Sequence, residues 1–466
     1  MTHMVRFRCP GCGGELETPE GTISNCCSYC SLVSLLGRPG RIVKQYYPPQ
    51  IDAREARFIA ERYLKKDGRP LFSTLTSRTL YYVPFYRFRG LSLTCLSSIQ
   101  TVLAESGASP TLTAQTYHLR ARNVDFTISA IENNPFGISS LGVRPQAMAS
   151  YAYSDEELPA DAEILAPEME PADSQALAFK MNSANLTIHS AERQTVFTEM
   201  IGERQSLLYF PLYVLTGMSH GQHLTIVVDA LSKRVVHNTS EPWQTQSAGH
   251  TIKAVSALKP EPHKCPNCGS DFEPSERSLV YPCDNCNRAY LLDESGYTQM
   301  QKPQFFDGPG TMYPFWRVPL SFGKPRKANT VGEFTKLLTA DIPLLARNKK
   351  EQPFYVYVPA FAGADAEWHV QAAVRMMRTQ PRLKSGKQDF KNAPQVSLPL
   401  AESLEFAAFA WNWLRMSYGH LRGNDMSYDS ARTGDAELVW MPMTDARLER
   451  SVDRLLVSRR KRELQM

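Results

Sequence analysis

Ten cysteines are the residues of this chain most able to do chemistry, and eight of them repeat a pattern. Cys9-Pro10-Gly11-Cys12-Gly13 is followed by Cys27-Ser28-Tyr29-Cys30. Cys265-Pro266-Asn267-Cys268-Gly269 is followed by Cys283-Asp284-Asn285-Cys286. In both copies 14 residues separate the pairs, and each cysteine of the second copy lies 256 positions after its counterpart. Two thiolates separated by two residues let a tight turn aim both sulfurs at one ion. A glycine after the second cysteine suits that turn, because it takes φ > 0 without a Cβ clash. Two such turns close a tetrahedron of sulfurs, which suits zinc. Such a site has no open position for water, so the metal is structural rather than hydrolytic.

The pattern resembles the zinc-ribbon family (four-cysteine, rubredoxin-like) over residues 9–36 and 265–292. The resemblance is local and covers no more of the chain. It implies two Zn2+ ions per chain. The ligands it implies are Cys9, Cys12, Cys27 and Cys30, then Cys265, Cys268, Cys283 and Cys286. Cys26 departs from the pattern. It could replace Cys27, but only Cys27 keeps the spacing of the second copy.

Three other uses of these thiols compete. Disulfides need an oxidising compartment, and paired CxxC motifs in a reducing one are more often metal ligands. Iron fits the same tetrahedron. However, the second pairs continue as Cys30-Ser31 and Cys286-Asn287, without the glycine usual in a rubredoxin-like knuckle. A redox CxxC is expected as an isolated pair near a helix start, not as two matched pairs.

The rest of the chain must position these sites. Its 466 residues allow two to four domains. With 42% hydrophobic and 21% charged residues it is of ordinary globular composition. A net charge of +5 is small for this length and argues against a polyanion binder by charge alone. No uncharged apolar run reaches the roughly 18 residues of a membrane span. Met1 to Arg6 lacks an apolar signal core, and with the cysteine usage this predicts a cytoplasmic protein.

The expected fold class is α+β: two zinc ribbons attached to mixed, mainly antiparallel β domains with a few helices. Residues 1–45 form the first ribbon, 46–154 an α+β part, 155–178 an acidic proline-containing linker and 179–257 a β-rich segment. Residues 258–296 form the second ribbon, 297–400 a second α+β part and 401–466 a helical region with a basic end. A helix starts at Asp52 with Glu55 in capping-box spacing, buries Ala56, Ile59, Ala60, Tyr63 and Leu64, and stops at Gly68. Strands rich in aromatics surround Pro84, Pro211, Pro314 and Pro359, and Pro84 argues for an edge position or a bulge in its strand. His223 to Asp229 pairs with the 207–215 strand across a hairpin loop at Ser219 to His223. Further helices are expected over 330–347, interrupted at Pro343, over 402–416, and from Asp445 to Arg459-Arg460-Lys461-Arg462. The order ribbon, helix, aromatic-proline strand occurs twice, with a 312–320 strand inserted between ribbon and helix in the second half, which reads either as a duplicated domain or as a likeness of composition alone. Residues 155–173 carry eight acids and no Lys or Arg, which reads as a solvated linker or as an arm docking on a basic surface.

No catalytic motif has its required context. Lys384-Ser385-Gly386-Lys387 lacks the earlier glycine and the following hydroxyl of a phosphate loop, and neither a Gly-x-Ser-x-Gly elbow nor a His-Glu-x-x-His helix occurs. Asp365, Glu367 and His369 read as a surface turn, and His220 with His223 as loop residues. The leading expectation is a non-enzymatic zinc-binding scaffold or assembly adaptor that docks partner proteins, with outward aromatics of the proline strands as anchors. The first alternative is a nucleic-acid-binding ribbon protein, using Arg6, Arg8, Arg38, Arg41 and Lys44 on phosphates. The second is a redox or enzymatic role from scattered residues. The basic end of the C-terminal helix is a candidate for peripheral contact with an anionic surface.

Overall fold

The computed structural model describes residues 3–102, 112–142, 148–186, 193–244, 252–253, 255–301, 304–305, 310–323, 327–337, 350–362, 365–381, 393–418 and 426–443. The fold is α+β, with mixed and antiparallel sheets. Two compact units are present, each built from separate stretches of chain. The first comprises Met1–Arg89, Val124–Ser183 and Arg204–Glu276, and the second Gly90–Asn123, Ala184–Glu203 and Arg277–Met466.

The first unit begins with two hairpins, β1 (Met4–Arg8) with β2 (Glu15–Pro19), and β3 (Ser24–Cys26) with β4 (Val33–Leu35). Then come β5 (Ile42–Tyr46), helix α1 (Ala53–Lys66), β6 (Thr74–Val102), β7 (Leu112–Ser129), β8 (Ser150–Ala152) and β9 (Glu163–Ile164). Helix α2 (Pro171–Leu186) is followed by β10 (Arg193–Ser219), β11 (Gln222–Asp229), β12 (Arg234–Thr239), β13 (Val255–Ala257) and β14 (Glu261–Pro262). Strands β6, β7 and β10 contribute residues to both units. The main sheet runs β12-β11-β10-β5-β8-β1-β2, so the first hairpin is its edge.

The aromatic runs are long because β6 and β10 are buried on both faces along them. Leu80, Tyr82, Tyr86, Leu207, Tyr209 and Leu215 pack in the core that includes Ala56, Ile59, Ala60 and Leu64 of α1. The alternate residues Tyr81, Val83, Phe85, Leu208, Phe210 and Leu212 pack in a second core with Phe136, Ile138 and Leu141. Strand period two thus feeds two cores along these aromatic runs.

Helix α1 has the expected start, face and stop. Asp52 Oδ1 accepts from the Arg54 and Glu55 backbone N–H groups, both at 2.8 Å. Gly68 follows with φ +66. Only half of the capping box forms, because the Glu55 carboxylate pairs with Lys233 instead. The β10–β11 hairpin turns through His220 and Gly221, both at positive φ, as a two-residue turn between right-twisted strands requires.

The second unit contains the antiparallel sheet β15 (Val280–Cys283), β16 (Arg288–Leu292) and β17 (Tyr297–Gln299). Beyond it lie β18 (Gln304–Phe305), β19 (Thr311–Phe322), helix α3 (Val331–Leu337), β20 (Tyr355–Pro359), helices α4 (Ala366–Thr379) and α5 (Leu400–Tyr418), β21 (Ala431–Thr433) and β22 (Glu437–Met443). The sheet order is β18-β22-β19-β20. A full capping box starts α3: Thr330 Oγ1 accepts from Glu333 N, and Glu333 Oε2 accepts from Thr330 N. Phe334 stacks on Phe354 at 4.1 Å between ring centroids. Apolar on nearly all sides, α5 buries Phe406, Phe409, Trp411 and Leu414, and Trp411 Nε1 donates to the Met426 carbonyl. The later part of the 330–347 helix, the phosphate-loop-like Lys384 to Lys387 and the helix from Asp445 lie outside the described residues.

Two expectations about the proline strands are corrected. Pro84 is not in an edge strand, because β6 pairs with β7, β9 and β10, and Pro211 and Pro314 likewise lie in interior strands. Pro211 falls where β10 changes partner, since β5 pairs residues 206–209 and β11 pairs from Leu212 onward. A residue without an N–H is tolerated at that gap. Nor do Tyr86 of the Pro84 strand and Trp316 of the Pro314 strand face outward as docking anchors. Tyr86 and Trp316 are buried, and their polar atoms bond inward, Tyr86 to the Met169 carbonyl and Trp316 to the Leu398 carbonyl.

Candidate metal centres

The cysteines are carried on turns that the flanking hairpins hold. In the first repeat, β1 ends at Arg8 and β2 begins at Glu15, and the intervening residues fold into a knuckle. Cys9 N donates to the Gly14 carbonyl and Gly13 N to the Cys9 carbonyl, both at 2.9 Å. The second repeat makes the same pair of bonds, Cys265 N to Ser270 O at 2.8 Å and Gly269 N to Cys265 O at 2.9 Å. Gly13 and Gly269 take nearly equal left-handed φ values of 73 and 74. The second knuckles use Ser31 and Asn287 at that position, with φ 61 and 53. Absence of glycine there does not change the turn.

Each set of four sulfurs lies within 4.8 Å, Cys9 with Cys12, Cys27 and Cys30, and Cys265 with Cys268, Cys283 and Cys286. Cys9 and Cys30 sulfurs stand 3.7 Å apart, as do those of Cys12 and Cys27. A metal about 2.3 Å from four tetrahedral sulfurs sets edges of about 3.8 Å. A disulfide needs about 2.05 Å, and all ten cysteines are free. Each group could therefore hold a metal ion. Cys9, Cys27, Cys265 and Cys283 are buried, and the second cysteine of each pair is more open.

The electrostatics of the first group show what it lacks without a cation. Desolvation opposes ionisation of Cys27, but the Cys30 and Tyr29 backbone N–H groups outweigh it and bring the thiol down to about 6. At Cys30 the Leu32 N–H favours the thiolate, yet desolvation and the three neighbouring sulfurs push it up to about 12. The Cys27 thiolate is thus favoured and that of Cys30 opposed, and a cation among the sulfurs would offset the repulsion at Cys30.

Cys26 stays out of the group. It is exposed on β3, with its thiol 3.7 Å from the Ser31 carbonyl. Cys95 is buried elsewhere, and burial pushes its thiol up to about 12.

The first ribbon is not freestanding. Strand β14, just before Cys265, adds to β4, pairing Glu261 with Leu35 and Pro262 with Ser34. Ile23 N donates to Glu276 O at 2.9 Å, and Ser24 and Ser275 exchange bonds of 3.0 Å and 2.8 Å. The segment around the first knuckle of the second repeat thus completes the β3–β4 hairpin. His263 is buried there beside Phe272, and burial holds its imidazole at about 4, hence neutral.

The cations expected to face phosphates have partners within the unit. Arg6 pairs with Glu17 at 2.8 Å, Arg8 with Glu157 at 2.8 Å, and Arg38 with Glu261. Arg41 lies 4.0 Å from Glu261, and Lys44 sits over the Tyr153 ring. Glu157 belongs to the acidic 155–173 stretch. Asp365 caps α4 by accepting from Glu367 N, and both His369 ring nitrogens face backbone carbonyls, of Asp365 and Phe361. That trio starts a helix rather than forming a surface turn. His220 and His223 are exposed on the hairpin.

Sequence reasoning missed a buried charge network. Arg87 is 1% exposed. It grips Asp125 through two bonds of 2.8 Å and 2.6 Å and reaches Glu20 at 3.2 Å, while Arg89 holds Glu20 at 2.8 Å. Gln45 donates to Glu20, Ser150 donates to Gln45, and His3 Nε2 lies 2.9 Å from Ser150 Oγ. Its only sequence signal was an arginine within an apolar strand.

Compared with known proteins, the chain matches no family model, no curated protein and no solved structure.

Proposed function

We propose that this chain is a non-enzymatic zinc-binding scaffold or adaptor in which two Zn2+ ions are structural. Cys9, Cys12, Cys27 and Cys30 hold one ion, and Cys265, Cys268, Cys283 and Cys286 the other. The closure of each four-sulfur group supports this reading. Four thiolates fill the tetrahedron and leave no position for water or substrate. A ribbon this small buries little apolar surface, so metal binding energy serves as folding energy. Zinc is preferred to iron because it brings no redox chemistry to a closed structural site. Thiolate ligands persist best in a reducing compartment, in keeping with the cytoplasm. The nucleic-acid alternative draws no support from the ribbon cations, which are engaged within the fold.

Metal analysis of the purified full chain is expected to return two zinc per chain, one for each four-sulfur group. A coloured preparation with iron in that amount would replace the structural reading with a redox carrier. For the scaffold itself, polypeptides captured from the native host are purified and recombined with the zinc-loaded chain. A direct complex should form and dissolve on chelation. If no captured polypeptide rebinds in purified form, the scaffold reading is wrong.

A further inference from the structure

Helix α1 uses one side to hold the fold and leaves an unusual other side. Ala56, Ile59, Ala60 and Leu64 point into the core. At about 100° per residue, the direction opposite that stripe belongs to Phe58, which is 63% exposed. Arg54 stands one turn before it, Arg62 one turn after, and Lys65 two turns after, all exposed, with exposed Lys66 beside them. The two acids of the helix are occupied, Glu55 by Lys233 at 3.1 Å and Glu61 by Arg57 at 2.7 Å. Among the described residues, Arg62, Lys65 and Lys66 make no ion pair, and Arg54 has only the Asp52 carboxylate of the helix cap nearby.

Fold stability accounts for only part of this surface: Lys65 and Lys66 lie in the last turn, where cations complement the helix dipole, but Arg54 stands in the first turn, where a cation opposes it. Like charges three and four apart, as in Arg62 with Lys65 and Lys66, weaken a helix. An exposed phenyl ring at their centre gains nothing from the fold. We propose that the outer face of α1 docks on an anionic lipid surface. A bilayer presents negative headgroups over an apolar layer, which matches cations placed around an aromatic ring. A single helix lying on a plane needs no matching cavity, and each cation adds its own attraction. A protein partner would need about 800 Å² per side, more than one 14-residue helix with a single exposed aromatic offers. A duplex groove would set polar base edges where Phe58 sits. This inference does not depend on the scaffold reading.

The test is sedimentation of the full, zinc-loaded chain with phosphatidylcholine vesicles, with and without phosphatidylserine. Binding is expected only with phosphatidylserine, weakening as salt rises. Phe58→Ala should weaken it about tenfold, and Arg62→Gln with Lys65→Gln about thirtyfold. The changed side chains are exposed, so melting curves should stay unchanged. Equal binding to both vesicle types overturns the proposal. So does phosphatidylserine binding that survives in the α1 variants, since the attraction would then lie elsewhere. A short DNA duplex is the third arm. If it binds the chain, loses binding in the same variants, and the vesicles do not bind, the partner is nucleic acid and the lipid proposal fails.

Discussion

Cys26 and Cys27 are neighbours in sequence with different surroundings. β3 directs the Cys26 thiol toward the Ser31 carbonyl and solvent, while Cys27 opens the knuckle and meets Cys12 at 3.7 Å. Cys27→Ser should therefore release one zinc and loosen the first ribbon, whereas Cys26→Ser should retain both. Metal content and thermal melting of the two variants decide the matter, and the reverse result would exchange their roles. The spacing already favoured Cys27. What spacing could not supply was the Arg87 network, whose acids lie 38 and 67 positions away in sequence.

At the scale of elements, the aromatic-proline strands are interior. Tyr86→Ala would remove a side chain with no exposed surface and leave the Met169 carbonyl without its phenol donor. A loss of about 4 kcal/mol is expected, read as a lower denaturant midpoint. Trp316→Ala should behave alike, because its indole N–H donates to the Leu398 carbonyl. A change under about 1 kcal/mol in either would contradict the packing described. Helix α4 was legible in principle. Asp365 is a helix cap, and Val370, Ala373, Val374 and Met377 follow at helical spacing. Three polar residues directly after a strand have the composition of a surface turn as much as that of a helix cap.

At the scale of the molecule, stability should depend on pH through the network at His3. Burial holds the His3 imidazole below its ordinary value of 6.5, with Arg87 and Arg89 adding to the effect and Glu20 opposing it. Above pH 6.5 neither folded nor unfolded chain carries that proton, and His3 has no effect on stability. Below it the unfolded chain takes up a proton that the folded chain refuses, so stability falls with pH. Glu20 adds a further loss at lower pH. Desolvation would raise its carboxyl, but Arg89 and Arg87 prevail and hold it at about 2, against an ordinary 4.5. His3→Gln should reduce the first limb, to which buried His263 also contributes, and keep the second, in denaturant titrations across the acid range. Loss of any metal held by the cysteines on acidification is common to both proteins and cancels in their difference. An unchanged first limb would show that His3 is not one of the titrating groups.

The sequence by itself determined the two four-cysteine sets, the period that relates them, the start and face of α1, the capping box of α3 and the α+β class. Those features are local: a turn, a cap or a periodic face depends on residues a few positions apart. Tertiary structure alone decided which way the aromatics of β6, β10 and β19 face, since a strand rich on both sides looks the same buried or exposed. It decided that β14 joins the first ribbon, although 226 positions separate the paired Glu261 and Leu35. It also decided that the ribbon cations meet Glu17, Glu157 and Glu261. Pairing across such separations follows from the closure of the whole fold, and no window of sequence contains both partners.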